Sequence, residues 1–240
     1  MDLSLIIITS EIPSHPNNFL ITKCINSLNM IKFVDKFIIY DRPKKYNIDY
    51  NNYIEKNKLD FLDYNHILLE NHGHFIGCVK KGISLVKTKY FLLVQHDTML
   101  IGDFPIKYIK NAKFDWNIIA LHHKENGLNE PTHWYPVIKK IDNYFLKTYG
   151  WSERFFIAKT DFFINNSLIK TKKFIDTIFH FKFDRLFKKL ENISTYKNFD
   201  YNNSKNQIIY DMFWDKWKVF TINKGCYSYH LCGRTSQKLK

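Results

Sequence analysis

The residues of this 240-residue chain best placed to do chemistry are carboxylates and histidines that stand where apolar runs stop. Residues 90–94, YFLLV, are uninterruptedly apolar and end abruptly in Gln95, His96 and Asp97. So short an apolar run reads as a strand buried on both faces, the kind at the centre of a mostly parallel sheet. Ligands of open α/β sheets bind outside the carboxyl ends of the strands, which positions Asp97 to hold a metal ion or polarise a substrate. Equally, Asp97 and Thr98 could open a turn or cap a helix. Asp41 closes a second short run, residues 37–40, and His230 closes a third, residues 226–229. His122, His123, Glu125, His133, Trp134 and Tyr135 fall together in one polar, aromatic stretch whose spacing fits no zinc-ligand pattern.

Several elements must position these residues. Residues 3–9, LSLIIIT, read as a buried strand, followed by a loop with Pro13 and Pro16. Asn17 can cap a helix whose apolar positions Leu20, Ile21, Cys24, Ile25, Leu28 and Ile31 recur at helical spacing. Residues 47–60, polar and tyrosine-rich, read as a loop with one exposed helix. A strand is expected over 66–69, a helix over 75–86, a helix over 103–112 with Pro105 in its first turn, and a strand over 116–121. This alternation predicts parallel strands joined by crossovers. The pattern changes after His123. A long loop, 124–136, precedes strand-like residues 154–164, a basic amphipathic helix over 170–190, a helix over 207–217 and two final strands. There is no internal repeat and no clean linker, so a single domain is expected.

Composition narrows the class. Hydrophobic content of 45% and charged content of 25% describe a globular chain, with a high aromatic share of 17%. A net charge of +13 suits anionic partners such as nucleotides or nucleic acid. Yet the excess is mostly lysine spread along an Asn-, Ile-, Tyr- and Phe-rich chain, so it is discounted as a nucleic-acid signal. The apolar run at the N-terminus is too short for a signal-peptide core, and no stretch is long enough to span a bilayer. A cytoplasmic protein without a transmembrane segment is therefore expected. Cys24, Cys78, Cys226 and Cys232 form no CxxC pair and read as idle thiols.

The order of these signals resembles the GT-A fold of nucleotide-sugar-dependent glycosyltransferases, especially the inverting type. The resemblance runs from Leu3 to about His230. It rests on LSLIIITSEIP, FLITKCINSL, FIIYD, the segment ENHGHFIGCVKKGISLVKTKYFLLVQHDTML and the closing YDMFWDKWKVFTINKGCYSYH. It implies an α/β, Rossmann-like and mostly parallel central sheet flanked by helices, with a C-terminal helical and mixed-strand acceptor region. Residues 1–123 would form the nucleotide-sugar-binding half and residues 124–240 the acceptor-binding half. The expected activity is sugar transfer from a nucleoside diphosphate donor, UDP-linked, to a hydroxyl of a glycan or glycoprotein acceptor.

The same resemblance assigns roles. Asp97 matches the metal-binding aspartate of the Asp-x-Asp motif and His230 its C-terminal partner, for Mn²⁺ or Mg²⁺. Gln95 stands where the first aspartate usually is, a departure from the motif. Asp41 corresponds to the acidic residue that bonds the nucleoside, although a plain turn aspartate before Arg42 is the other reading. Lys80, Gln95, His96 and Arg234 would contact the donor, with Lys238 a further phosphate ligand. The general base is expected at Asp211 or Asp161, with Glu153 a third position, and Trp134 and Trp151 would face the acceptor sugar. A nucleotidyltransferase and a nucleic-acid-binding module are the competing readings.

Overall fold

The first strand, β1 (Leu3–Thr9), is buried along its whole length and so must be covered on both faces. The computed structural model describes residues 1–12, 17–121, 123–125, 137–148, 155–165, 218–222 and 226–231. After β1 come α1 (Phe19–Ser27), β2 (Lys36–Tyr40), α2 (Ile48–Asp60), β3 (Asn65–Leu68), α3 (His74–Leu85) and β4 (Tyr90–Gln95). β1 pairs in parallel with β2 on one side and β4 on the other, and β3 adds in parallel outside β2. Successive β1 residues point to opposite faces. Leu5 and Ile7 share a core cluster with Ile21 and Cys24 of α1 and Tyr53 of α2, while Ile6 and Ile8 share one with Val79 and Ile83 of α3.

The helix α2 is not the exposed element that its polar sequence predicts. Tyr50, Tyr53, Ile54 and Asn57 are buried. The Tyr50 and Tyr53 rings stack at 5.9 Å, and the Tyr53 hydroxyl lies 3.2 Å from Thr9 Oγ1. Tyrosine buries a large ring while its hydroxyl finds a polar partner, which is how so polar a segment enters the core.

Beyond β4 the chain turns through His96 and Asp97 into β5 (Thr98–Gly102) and the short α4 (Ile106–Lys110), which starts after Pro105. Then follow β6 (Ile118–Leu121), β7 (His123–Glu125), β8 (Val137–Lys140), β9 (Phe145–Thr148), β10 (Phe155–Lys159), α5 (Thr160–Asn165), β11 (Val219–Ile222) and β12 (Cys226–His230). The large sheet has the order β3-β2-β1-β4-β10-β6-β11-β9-β8. Its parallel part runs from β3 to β4. β10 then inserts antiparallel to both β4 and β6, β11 lies parallel to β6, and β9 and β8 close the sheet antiparallel. Residues 154–164, read as one strand-like stretch, divide into β10 and α5. The helices expected over 170–190 and 207–217 lie outside the described residues.

A second sheet, β5-β12-β7, brings the C-terminal strand back to β4's exit. β12 runs antiparallel to β5 with His230 opposite Thr98, and the Leu231 N–H donates to the Asp97 carbonyl at 2.8 Å. Among the described residues no helix is long and apolar enough to cross a membrane. Cys24, Cys78 and Cys226 are buried free thiols, and burial pushes the Cys226 thiol up to about 12.

Candidate active-site cleft

β1, β2, β3 and β4 all deliver their carboxyl ends to one edge of the sheet, and a cleft of about 700 Å³ opens there. Its floor is Ile8 at the end of β1. One wall is Asp41 to Lys45 after β2 together with His72, His74 and Phe75 where α3 begins. Gln95 at the end of β4, His96 and Asp97 just after it, and Ser10, Glu11 and Ile12 after β1 also line the cleft. Strand polarity alone explains the convergence, because each parallel strand exits at the same edge.

Asp97 occupies the turn between β4 and β5, so the turn reading and the site reading describe the same residue. Its Oδ2 lies 3.0 Å from His230 Nε2, a pairing across 133 positions of sequence. Both side chains are mostly buried, at 16% and 18% exposure. His96, next to it, is turned inward at 5% exposure. Its backbone N–H donates to the Ile8 carbonyl at 3.0 Å and its Nδ1 lies 3.3 Å from the same oxygen. The structure thus places His96 as the clamp that ties the end of β4 to β1.

Asp41 is 3% exposed and faces the loop after β3. Its Oδ1 accepts the Gly73 N–H at 2.8 Å, and its Oδ2 lies 3.0 Å from His72 Nδ1. His72 Nδ1 is also 2.9 Å from the Arg42 carbonyl, and Arg42 Nε donates to the Leu69 carbonyl at 2.8 Å. A carbonyl can only accept, so His72 Nδ1 carries the proton. These bonds weld the β2 and β3 exits into one wall. Arg42, Lys44 and Lys45 supply its positive charge against the carboxylates of Glu11, Asp41 and Asp97.

Other sequence-predicted residues are not brought to the cleft. Lys80 lies six residues into α3, roughly 9 Å along the helix axis from His74, and does not line the cleft. Asp161 requires a correction. It is exposed in the first turn of α5, just after Lys159 pairs with Tyr90 and Thr160 N–H donates to the Lys89 carbonyl. That is the amino edge of β4. At about 3.3 Å per residue, the seven positions from Tyr90 to Asp97 separate the two edges by about 23 Å. A general base must reach the proton it takes, so Asp161 cannot serve a reaction at Asp97. Asp211, Arg234, Lys238, Glu153, Trp134 and Trp151 lie outside the described residues.

Sequence reasoning gave no role to Arg42, Lys44, Lys45, His72 or His74, all of which line the cleft. The run RPKK directly after a strand ending in Asp, and the pair HGH before a helix, were the signals available.

This architecture, a carboxyl-edge cleft flanked by a small second sheet that returns a histidine to the β4 aspartate, is the GT-A glycosyltransferase fold. Two solved structures of S. aureus TarS share it. The 1–349 fragment matches at a TM-score of 0.53 and 13% identity over 96% of this chain, and a longer TarS structure at 0.56 and 12% over 96%. GalNAc-T7 solved with UDP, GalNAc and Mn²⁺ matches at a TM-score of 0.58 and 9% identity over 95% of this chain. The chain spans 60%, 36% and 43% of those three chains, respectively. No family model matches the sequence, and no curated protein matches it.

Proposed function

We propose that this chain is a glycosyltransferase that moves a sugar from a nucleoside diphosphate, UDP-linked, to a hydroxyl of a glycan or glycoprotein acceptor. One observation carries the reading: Asp97, held by His230, lines the same cleft as Arg42, Lys44 and Lys45 at the carboxyl edge of a GT-A sheet. The TarS 1–349 structure with UDP, at a TM-score of 0.54 and 14% identity, and GalNAc-T7 with UDP and Mn²⁺ support the choice of donor.

Asp97 and His230 fit a divalent ion. A carboxylate oxygen and a ring nitrogen already converge, and Mn²⁺ or Mg²⁺ suits an oxygen-rich site that leaves positions for phosphate. Such an ion supplies Lewis-acid stabilisation of the charge left on the departing diphosphate. Arg42, Lys44 and Lys45 add positive charge for the same diphosphate, Arg42 through the guanidinium nitrogens that its bond to Leu69 does not use. Gln95 and His96 hold the β4 exit against the donor. Asp41 presents remaining lone pairs to a nucleoside hydroxyl or N–H. Transfer is inverting, in one displacement, with Asp211 taking the acceptor proton.

A thermal-shift panel of nucleoside diphosphates and nucleotide sugars, each with and without Mn²⁺, tests this reading. A ligand that binds only the folded state raises its apparent stability by mass action. A Mn²⁺-dependent rise with UDP or a UDP-sugar is expected. No rise with any nucleotide would refute the proposal.

A further inference from the structure

We propose that His72 and His74 form a binding site for a divalent transition-metal ion, Zn²⁺ foremost, with Asp41 as the carboxylate that fixes His72. The site shares no residue with the Asp97–His230 pair, and it stands whatever nucleotide the cleft takes.

Among the described residues, Asp41, His72 and His74 are the one group of three whose ligand-type atoms converge, all within 4.8 Å of one another. The bonding around His72 assigns their roles. Its Nδ1 proton is shared by the Arg42 carbonyl and Asp41 Oδ2, so in the neutral ring the lone pair sits on Nε2. That Nε2 is buried and has no hydrogen-bond partner. A buried lone pair without a donor is an unexplained cost, and a Lewis acid removes it. Metal-bound imidazoles characteristically give their other N–H to a carboxylate or a carbonyl, which fixes tautomer and ring orientation. His72 has both.

His74 supplies the second ligand. Its ring lies 3.9 Å from that of His72, centroid to centroid, tilted by 65°. It is exposed and heads α3, so its side chain has room to close on the ion. In a tetrahedral shell with Zn–N bonds of about 2.0–2.1 Å, neighbouring ligand atoms stand roughly 3.3 Å apart, and the ligand-type atoms of this cluster lie within 4.8 Å of one another. His74 also has a φ of 53°, in the left-handed region where a side chain is rarely held. That backbone turn is what aims two histidines separated by one residue at the same point. Two imidazoles select a borderline ion such as Zn²⁺ over Mg²⁺, which prefers oxygen.

The test is a Zn²⁺ titration of the metal-stripped full chain against a chromophoric chelator, with Co²⁺ absorption as a second readout. His74→Asn is the first variant, since asparagine tolerates the left-handed backbone but removes the imidazole. Stoichiometric Zn²⁺ binding is expected in the parent, at least about tenfold weaker in His74→Asn with its metal-free thermal midpoint retained. Asp41→Asn should weaken binding by about 10–100-fold and alter the Co²⁺ band, as expected for loss of an outer-shell carboxylate. A parent that binds no Zn²⁺, or a His74→Asn variant that binds it as tightly as the parent, would overturn the proposal.

Discussion

Asp41 is almost wholly buried, and what it holds explains why it stands at the end of β2. One oxygen takes the Gly73 N–H and the other takes His72. Alanine at this position would leave the Gly73 N–H without its acceptor, at a cost of about 1–3 kcal/mol, while His72 Nδ1 would keep only the Arg42 carbonyl. Urea unfolding of Asp41→Ala should therefore show a loss of that order or more, and a loss below about 0.5 kcal/mol would mean that water replaces the carboxylate. At this scale the sequence was informative wherever a polar residue ended an apolar run, as with Asp41, Asp97 and His230. It assigned no role to His72 and His74, although HGH stands before a helix, because their convergence also depends on the backbone turn at His74.

At the scale of elements, close approach matters more than residue type. A Cβ on Gly82 would stand 2.6 Å from Ile6 Cγ2, so α3 lies against β1 at a distance only glycine allows. Ile6 is β-branched and stiff, and it cannot swing aside cheaply. Overpacking costs about 1–3 kcal/mol against about 1 kcal/mol gained in helix propensity. Gly82→Ala should therefore lower stability by on the order of 1 kcal/mol, measured by thermal or urea unfolding, where an ordinary exposed helix position would gain. The junction of α2 and β3 gives a pH signature. His66 Nε2 lies 3.0 Å from the Phe61 carbonyl and its Nδ1 2.9 Å from the Tyr40 hydroxyl, and burial lowers its pKa. The folded value thus lies below the unfolded value of about 6.5, so this contribution is present above that pH and is lost as pH falls through it toward the folded value. Unfolding free energy should fall more steeply below about pH 6.5 in the parent than in His66→Gln. Equal slopes would contradict the assignment. Helical and strand periodicity located the elements up to β4 and, among the later ones, α4, β6, β10, β11 and β12, but not β5, β7, β8, β9 or α5. It could not give strand direction after the long loop, which is why Asp161 appeared to belong to a site at the opposite edge of the sheet.

For the whole molecule, the alternation of the first half predicted a parallel sheet with a carboxyl-edge cleft, and that is where the cleft lies. In the second half β10, β11 and β12 were legible as strands but their places in the sheets were not, since they join elements formed by earlier sequence. Their pairing brings His230 to Asp97, and Arg42, Lys44 and Lys45 bring positive charge to the same cleft in a chain of net +13. The most direct test of this account is calorimetric titration of UDP, with and without Mn²⁺, into the parent and into Asp97→Ala. The account predicts Mn²⁺-dependent binding that weakens at least about tenfold in the variant, equivalent to about 1.4 kcal/mol, while the variant keeps its fold. Absence of UDP binding, or equal binding in the variant with no dependence on Mn²⁺, would contradict it.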